Sequence, residues 1–196
     1  MPNIEENKQA FIDICHQFIA RDGVDDLLEW LSSTDFFSAP ASSRFHGCEE
    51  GGLVSHSLHV YEQLSDMLYA YDMDDKIPFE SAVICSLFHD ICKANYYQKS
   101  TRNVKNPDTG RWETKDTYIV NDQLPLGHGE KSCILLQQFI KLTPQEMMAI
   151  RHHMGGFDSA VKGGDYSLSK AYDQCPLAVL LHLADMAATY LIENRK

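Results

Sequence analysis

The segment SLFHDICK, residues 86–93, carries an adjacent histidine and aspartate, His89 and Asp90. The apolar run that leads to it follows Pro78, and proline is favoured at the first position of a helix. We therefore predict a helix from Pro78 to Ile91 that ends at the His-Asp pair. A single such dipeptide is weak evidence for any function, so its meaning depends on what the rest of the chain supplies.

The stretch GGLVSHSLHV, residues 51–60, begins a second predicted helix that contains His56. Its apolar residues recur at helical spacing up to Tyr71. Two shorter helices, over residues 4–20 and about 24–31, are predicted before it, with a loop through Pro40 to Gly52. No internal repeat or interdomain linker is visible, so residues 1–196 are expected to form one domain.

Beyond the His-Asp pair, residues 96–120 differ from the rest. A turn signal, Asn-Pro-Asp-Thr-Gly at 106–110, lies between β-tolerant stretches and predicts a small inserted β-hairpin. Helices are then expected from Gly127 to Phe139, from the capping box at Thr143 to about Gly155, and from Pro176 to about Asn194. A polar loop is expected before Pro176. The predicted fold class is all-α with one inserted hairpin.

The predicted helices carry side chains of the kind that bind transition metals. Imidazole nitrogen and carboxylate oxygen are common ligands of zinc, iron, manganese and nickel. These side chains lack the spacing of HExxH, so they must converge from separate helices. His16 and His59 are interpreted as ordinary surface or packing residues, and His182 as either packing or support for a ligand. The candidate ligands are His56, His89, Asp90, His128, His153 and Asp185.

GGLVSHSLHV, SLFHDICK and LLHLADMAATY, in this order, resemble the HD superfamily of metal-dependent phosphohydrolases, whose signature is H…HD…D. LPLGHGEKS (124–132) and AIRHHMGGFD (149–158) resemble the two further histidine motifs of its dinuclear members. The resemblance covers about residues 46–190. It implies an HD-domain helical bundle with two divalent transition-metal ions (Fe, Mn, Ni or Zn).

The resemblance also assigns roles to single residues. It implies that His56, His89, Asp90 and Asp185 hold one ion, and that Asp90 bridges to a second ion held by His128 and His153. His152 stays open as a neighbour of that site and, with His46, as an acid for the leaving group; an exposed loop is the alternative for His46. Lys93 matches a basic residue that meets an anionic group in similar proteins.

The expected activity is hydrolysis of a nucleotide or another small phosphoester. Metal coordination lowers the pKa of water from about 16 toward about 7, which supplies a nucleophile without Ser or Cys. Two alternatives stay open. AIRHHMGGF and LPLGHGEK also resemble segments of the myo-inositol oxygenases, which use two irons. The other alternative is a non-catalytic domain that senses a nucleotide.

Charge constrains the partners. The chain has 196 residues and a formal charge of −11, which argues against long DNA or RNA as a ligand. The hairpin differs, with a charge of +2 between residues 98 and 117, and Arg102, Lys105 and Arg111 are candidate contacts for an anionic substrate; a solvated hairpin is the alternative.

Scattered cysteines without CxxC and an acidic, polar N-terminus predict reduced thiols and a cytoplasmic protein that does not enter membranes.

Overall fold

A computed structural model describes residues 3–43 and 47–193. Within these ranges the chain is mostly helical and has one two-stranded antiparallel sheet. The α-helices are α1 Ile4–Phe18, α2 Val24–Ser33, α3 Gly52–Ala70, α4 Phe79–Phe88, α5 His128–Leu136, α6 Pro144–His152, α7 Ser159–Lys162, α8 Ser167–Gln174 and α9 Pro176–Ala187. The strands are β1 Tyr97–Lys105 and β2 Trp112–Val120.

The core lies where α3, α4, α6 and α9 pack together, with α1 covering one side. Helix α4 is buried from Ser81 to Phe88, which explains its almost continuous apolar sequence. Phe11 of α1 contacts the rings of Phe36, Phe37 and Phe88 edge-on, at centroid distances of 5.4–5.6 Å. The most conspicuous polar side chains in this core are the histidines and acids described below.

The predicted hairpin is confirmed. β1 and β2 pair in a single register from Tyr97↔Val120 to Lys105↔Trp112, and most of their residues are exposed. The turn forms because the Asn106 Oδ1 atom accepts hydrogen bonds from the backbone N–H groups of Asp108 and Thr109, at 2.9 and 3.1 Å. The hairpin therefore projects from the helical body.

Three predicted boundaries need correction. The segment before Pro176 is not a continuous loop, because α7 and α8 form within it, and Asp158 caps α7 by accepting from Ala160 and Val161 N–H. Helix α4 stops at Phe88, and a 3-10 turn at Ile91–Lys93 follows the His-Asp pair. The last α-helix ends at Ala187 and continues as a π-helical turn, Ala188–Glu193.

The segment Pro176–Glu193 is long and apolar enough to cross a membrane, with a mean hydropathy of 1.3, and 44% of it is buried inside the protein. Core helices of soluble proteins satisfy the same criterion, so this is weak evidence for a membrane span.

Candidate metal centre

His56 and Asp185 come from the two helices that form the middle of the core, α3 and α9. His56 is 1% exposed, and its Nε2 atom lies 3.3 Å from the Asp185 Oδ1 atom. The other ring nitrogen, Nδ1, lies 3.0 Å from the Glu193 Oε1 atom. Each nitrogen of this imidazole therefore faces a carboxylate.

His89 and Asp90 follow directly on the last turn of α4. The His89 Nδ1–H group donates to the Ser86 carbonyl at 2.8 Å, so Nε2 is the ring nitrogen that can bind a cation. That atom lies 3.3 Å from His56 Nε2 and 3.5 Å from Asp90 Oδ2. Two imidazole nitrogens at this distance need a proton or a cation between them, because facing lone pairs repel.

His153, at the end of α6, repeats this arrangement. Its Nδ1–H group donates to the Ile150 carbonyl at 2.7 Å, so its Nε2 lone pair points at Asp90 Oδ1, 3.6 Å away. Among the described residues, neither of these two buried atoms has a hydrogen-bond partner. Leaving buried polar atoms unpaired is costly, and a bound cation would satisfy both. The donor set and its unpaired atoms thus fit a transition metal.

His128 lies at the edge of this cluster. Its donor atom groups with those of Asp90 and Cys92, whereas His153 groups with Asp90 and His89. The His128 Nδ1 atom is 3.3 Å from the Cys92 sulfur. Asp90 is common to both groups, as expected for a bridging ligand, but the structure does not bring His128 and His153 into one group.

The electrostatics favour positive charge at the cluster. Burial opposes the charged form of His56, but hydrogen bonds to Asp185 and Glu193 outweigh it and raise its pKa to about 10. Burial would raise the pKa of Asp90, yet the charge of Lys93 and the contacts with His89 and His153 hold it well below its usual range. The pKa of Asp185 is lowered in the same way, mainly by His56. Both carboxylates are therefore ionised, and metal ions would replace protons on the imidazoles.

Lys93 makes a closer contact than the sequence suggests. Its Nζ atom lies 2.6 Å from Asp90 Oδ2, and the residue is 8% exposed. Burial alone would lower the pKa of Lys93, but the Asp90 charge raises it above its ordinary value, so the ammonium persists. Lys93 is therefore bound to a candidate ligand and also faces the adjoining cavity.

A cavity of about 490 Å³ opens directly onto Asp90 and Asp185. Its walls are mainly apolar, with two lysines, Lys93 and Lys162. The Lys162 Nζ atom lies 5.7 Å from the centre of the Phe157 ring. The remaining lining residues are Met154, Phe157, His182, Met186, Thr189 and Tyr190.

Two glycines allow the ligand helices to approach each other. A Cβ atom at Gly129 would overlap the backbone of Arg151, so only glycine lets α5 and α6 pack this closely. Gly155 has a φ of +51°, and a Cβ atom there would overlap the His182 ring. That ring donates its Nδ1–H to the His153 carbonyl at 2.7 Å. His182 therefore supports the chain at His153, and it also lines the cavity.

Other predicted residues lie away from the cluster or outside the described ranges. His152 is buried, and charged neighbours around it are Arg151, Asp165 and Asp158 rather than the candidate ligands. His46 is outside the described residues. Arg102, Lys105 and Arg111 are exposed on the hairpin.

At the hairpin base, a different surface forms. Lys99 forms an ion pair with Glu50, beside a cavity of about 390 Å³ between the hairpin and Cys48–Glu50.

Sequence reasoning missed Glu193. It is one of many acids in the chain and belongs to no motif, and only the fold brings it to His56.

Comparison with known proteins gives no match to a family model, to a curated protein or to a solved structure.

Proposed function

We propose that this chain is a metal-dependent phosphohydrolase of the HD type that binds two transition-metal ions at His56, His89, Asp90, His128, His153 and Asp185. One observation carries the proposal: the Nδ1 atoms of His56, His89 and His153 are each held by an acceptor, so their Nε2 atoms face two ionised carboxylates. Ordinary core packing does not require three imidazoles to share such an arrangement.

The order of the candidate ligands along the chain supports the assignment to the HD superfamily. They lie on or beside α3, α4, α5, α6 and α9, which matches the H…HD…H…H…D order of dinuclear members. The helical architecture with a small insertion is compatible with an HD domain. A likeness of this kind is an analogy, so the chemistry must be argued from the site.

The cavity supports a small phosphoester as substrate. Its volume falls within the usual range of ligand sites, about 300–1,000 Å³. Lys93 and Lys162 would hold phosphoryl oxygens, and the apolar wall with Phe157 and Tyr190 would hold an aromatic group such as a nucleobase. Metal ions bound beside them would supply a Lewis acid and a water of lowered pKa. His182 and Gly155 would keep His153 in place.

A phosphate-release screen tests the proposal. Protein loaded separately with Mn²⁺, Fe²⁺, Ni²⁺ or Zn²⁺ would be incubated with nucleotides, sugar phosphates and a phosphodiester. We expect turnover of at least one phosphoester, lost in Asp185→Asn and retained in a matched exposed variant, Asp66→Asn. No turnover under any metal, with oxygen uptake by the iron form, would instead indicate an oxygenase. Tight nucleotide binding without either activity would indicate a sensor.

A further inference from the structure

The π-helical turn after α9 ends at Glu193, whose side chain contacts His56 on the ring nitrogen opposite the candidate metal centre. The Glu193 Oε1 atom lies 3.0 Å from His56 Nδ1 and 2.9 Å from His59 Nδ1. The Glu193 side chain is 8% exposed. Short π-helical turns occur frequently at functional sites. We propose that Glu193 is a positioning residue that holds His56 with its Nδ1 atom protonated and its Nε2 atom directed at the metal centre.

The position of His56 explains why a side chain is needed for this role. His89 and His153 follow the last turns of their helices, where backbone carbonyls lack helical partners and can accept from Nδ1–H. His56 lies inside α3, Gly52–Ala70, where the preceding carbonyls accept helical bonds. Its Nδ1–H group must therefore find an acceptor on another element, and Glu193 provides it.

A carboxylate acceptor also changes the ligand itself. A negative partner on Nδ1–H makes Nε2 more basic, and loss of such a partner typically weakens metal affinity about 10- to 100-fold. Asp185 and Glu193 belong to the same continuous segment, α9 and its π turn, and they face opposite nitrogens of one ring. The last helical segment thus supplies both a ligand and the partner that orients another ligand.

This inference rests on the proposed metal centre, so the experiment measures the two separately. Wild-type protein, Glu193→Ala, Glu193→Gln and the exposed control Glu62→Ala would be titrated with zinc in competition with a chelator. Histidine ¹⁵N spectra of the zinc-loaded proteins would report which ring nitrogen of His56 carries the proton. The wild type should bind two ions and show a protonated Nδ1 atom at His56.

Glu193→Ala should lower the affinity for one of the two zinc ions about 10- to 100-fold. In this variant the His56 proton should no longer be confined to the Nδ1 atom. Glu193→Gln keeps an acceptor without the charge, so it should retain the Nδ1 proton with a smaller loss of affinity, and it carries the test if the alanine variant does not fold. Glu62→Ala should match the wild type. Unchanged zinc affinities and an unchanged His56 signal in Glu193→Ala would overturn the role of Glu193 alone. A wild type that binds no zinc would overturn the metal centre and this role with it.

Discussion

Lys93 illustrates how one side chain can serve two partners. Its ammonium neutralises Asp90 at 2.6 Å, and it also faces the cavity next to Asp185. A bound cation would take over the neutralisation of Asp90 and leave Lys93 available to a phosphoryl oxygen. The side chain would then act on the substrate without being a metal ligand.

Lys93→Met should therefore keep the metal content of the wild type, because no ligand is removed. Turnover should fall by roughly 10²-fold or more, the scale of losing one charge-stabilising donor. Metal analysis and steady-state kinetics on the same preparation check both statements. Lys162→Met, at the exposed rim of the cavity, is the comparison and should affect turnover less. A Lys93 variant that loses metal would show that the residue is structural, and unchanged turnover would remove it from the mechanism.

The candidate ligands could be identified in the sequence because each lies in a short motif, in an order that resembles the HD signature. Their grouping could not, since it depends on the angles at which α5 and α6 meet, which Gly129 permits through close backbone contact. The resemblance implies that His128 and His153 share a metal ion, and in the structure the His128 Nδ1 atom lies 3.3 Å from the Cys92 sulfur, in a group with Asp90. Glu193 escaped prediction for the same reason, because its partner is 137 residues away in the chain.

At the scale of elements, a buried carboxylate of α6 ties together the segment that follows α1 and helix α4. Glu146 is fully buried and accepts from Arg21 at 2.5 and 2.7 Å, from Ser81 Oγ at 2.6 Å and from Thr143 N–H at 2.7 Å. Burial would raise the pKa of Glu146, but these donors outweigh it and lower the pKa below its ordinary value. Because α6 ends at His152, directly before His153, this network also fixes one side of the centre.

Glu146→Gln should lower the free energy of unfolding by about 3 kcal/mol at neutral pH, since it removes the buried carboxylate that pairs with Arg21 and leaves only the more exposed Glu80 as its charged partner. A lowered folded-state pKa means that the contribution is fully present above the unfolded value, about 4.3, and is lost as the pH falls through the folded value. The difference between wild type and variant should therefore shrink in acid. Denaturant unfolding at pH 7 and below pH 4 measures it, with Glu80→Gln as a milder control. A difference that does not depend on pH would contradict this account.

The elements themselves were largely predictable where local chemistry fixes them. The capping box at Thr143 and the prolines near the starts of α4 and α9 gave helix starts that agree with the structure to within about one residue. The short helices α7 and α8 were missed because they are only four and eight residues long and lie among glycines and polar residues. The π turn was expected only as a continuation of the last helix, and in the structure it contacts α3.

The hairpin provides a prediction about steering of the substrate. Arg102 lies directly opposite Lys115 in the strand register, so two like charges face each other on an exposed surface. Replacing Arg102, Lys105 and Arg111 together by glutamine should raise KM for an anionic substrate at low salt. The effect should fade above about 0.1 M salt, where the Debye length is about 10 Å.

Lys162→Gln is the matched comparison, because it removes a charge beside the cavity. It should raise KM both at low salt and above about 0.1 M salt. Unchanged kinetics in the triple variant would mean that the hairpin is solvated and has no part in substrate capture.

For the whole molecule, the central question is how a chain with a formal charge of −11 would bind the anionic substrate proposed for it. The proposed answer is that metal ions reverse the local potential at Asp90 and Asp185, while two lysines line the adjoining cavity. Without cations, the same region carries ionised acids next to the pocket. The proposed function therefore depends on metal occupancy more than on any single substrate contact.

The most direct measurement is the metal content of protein purified anaerobically without chelators, for the wild type and for Asp90→Ala. We expect about two transition-metal ions per chain in the wild type, with iron, manganese, nickel or zinc favoured over calcium because imidazoles dominate the donor set. Asp90→Ala should lose both, whereas His153→Ala should lose about one and remain folded. A wild-type stoichiometry well below one, or an Asp90→Ala variant that keeps both ions and full activity, would contradict the account.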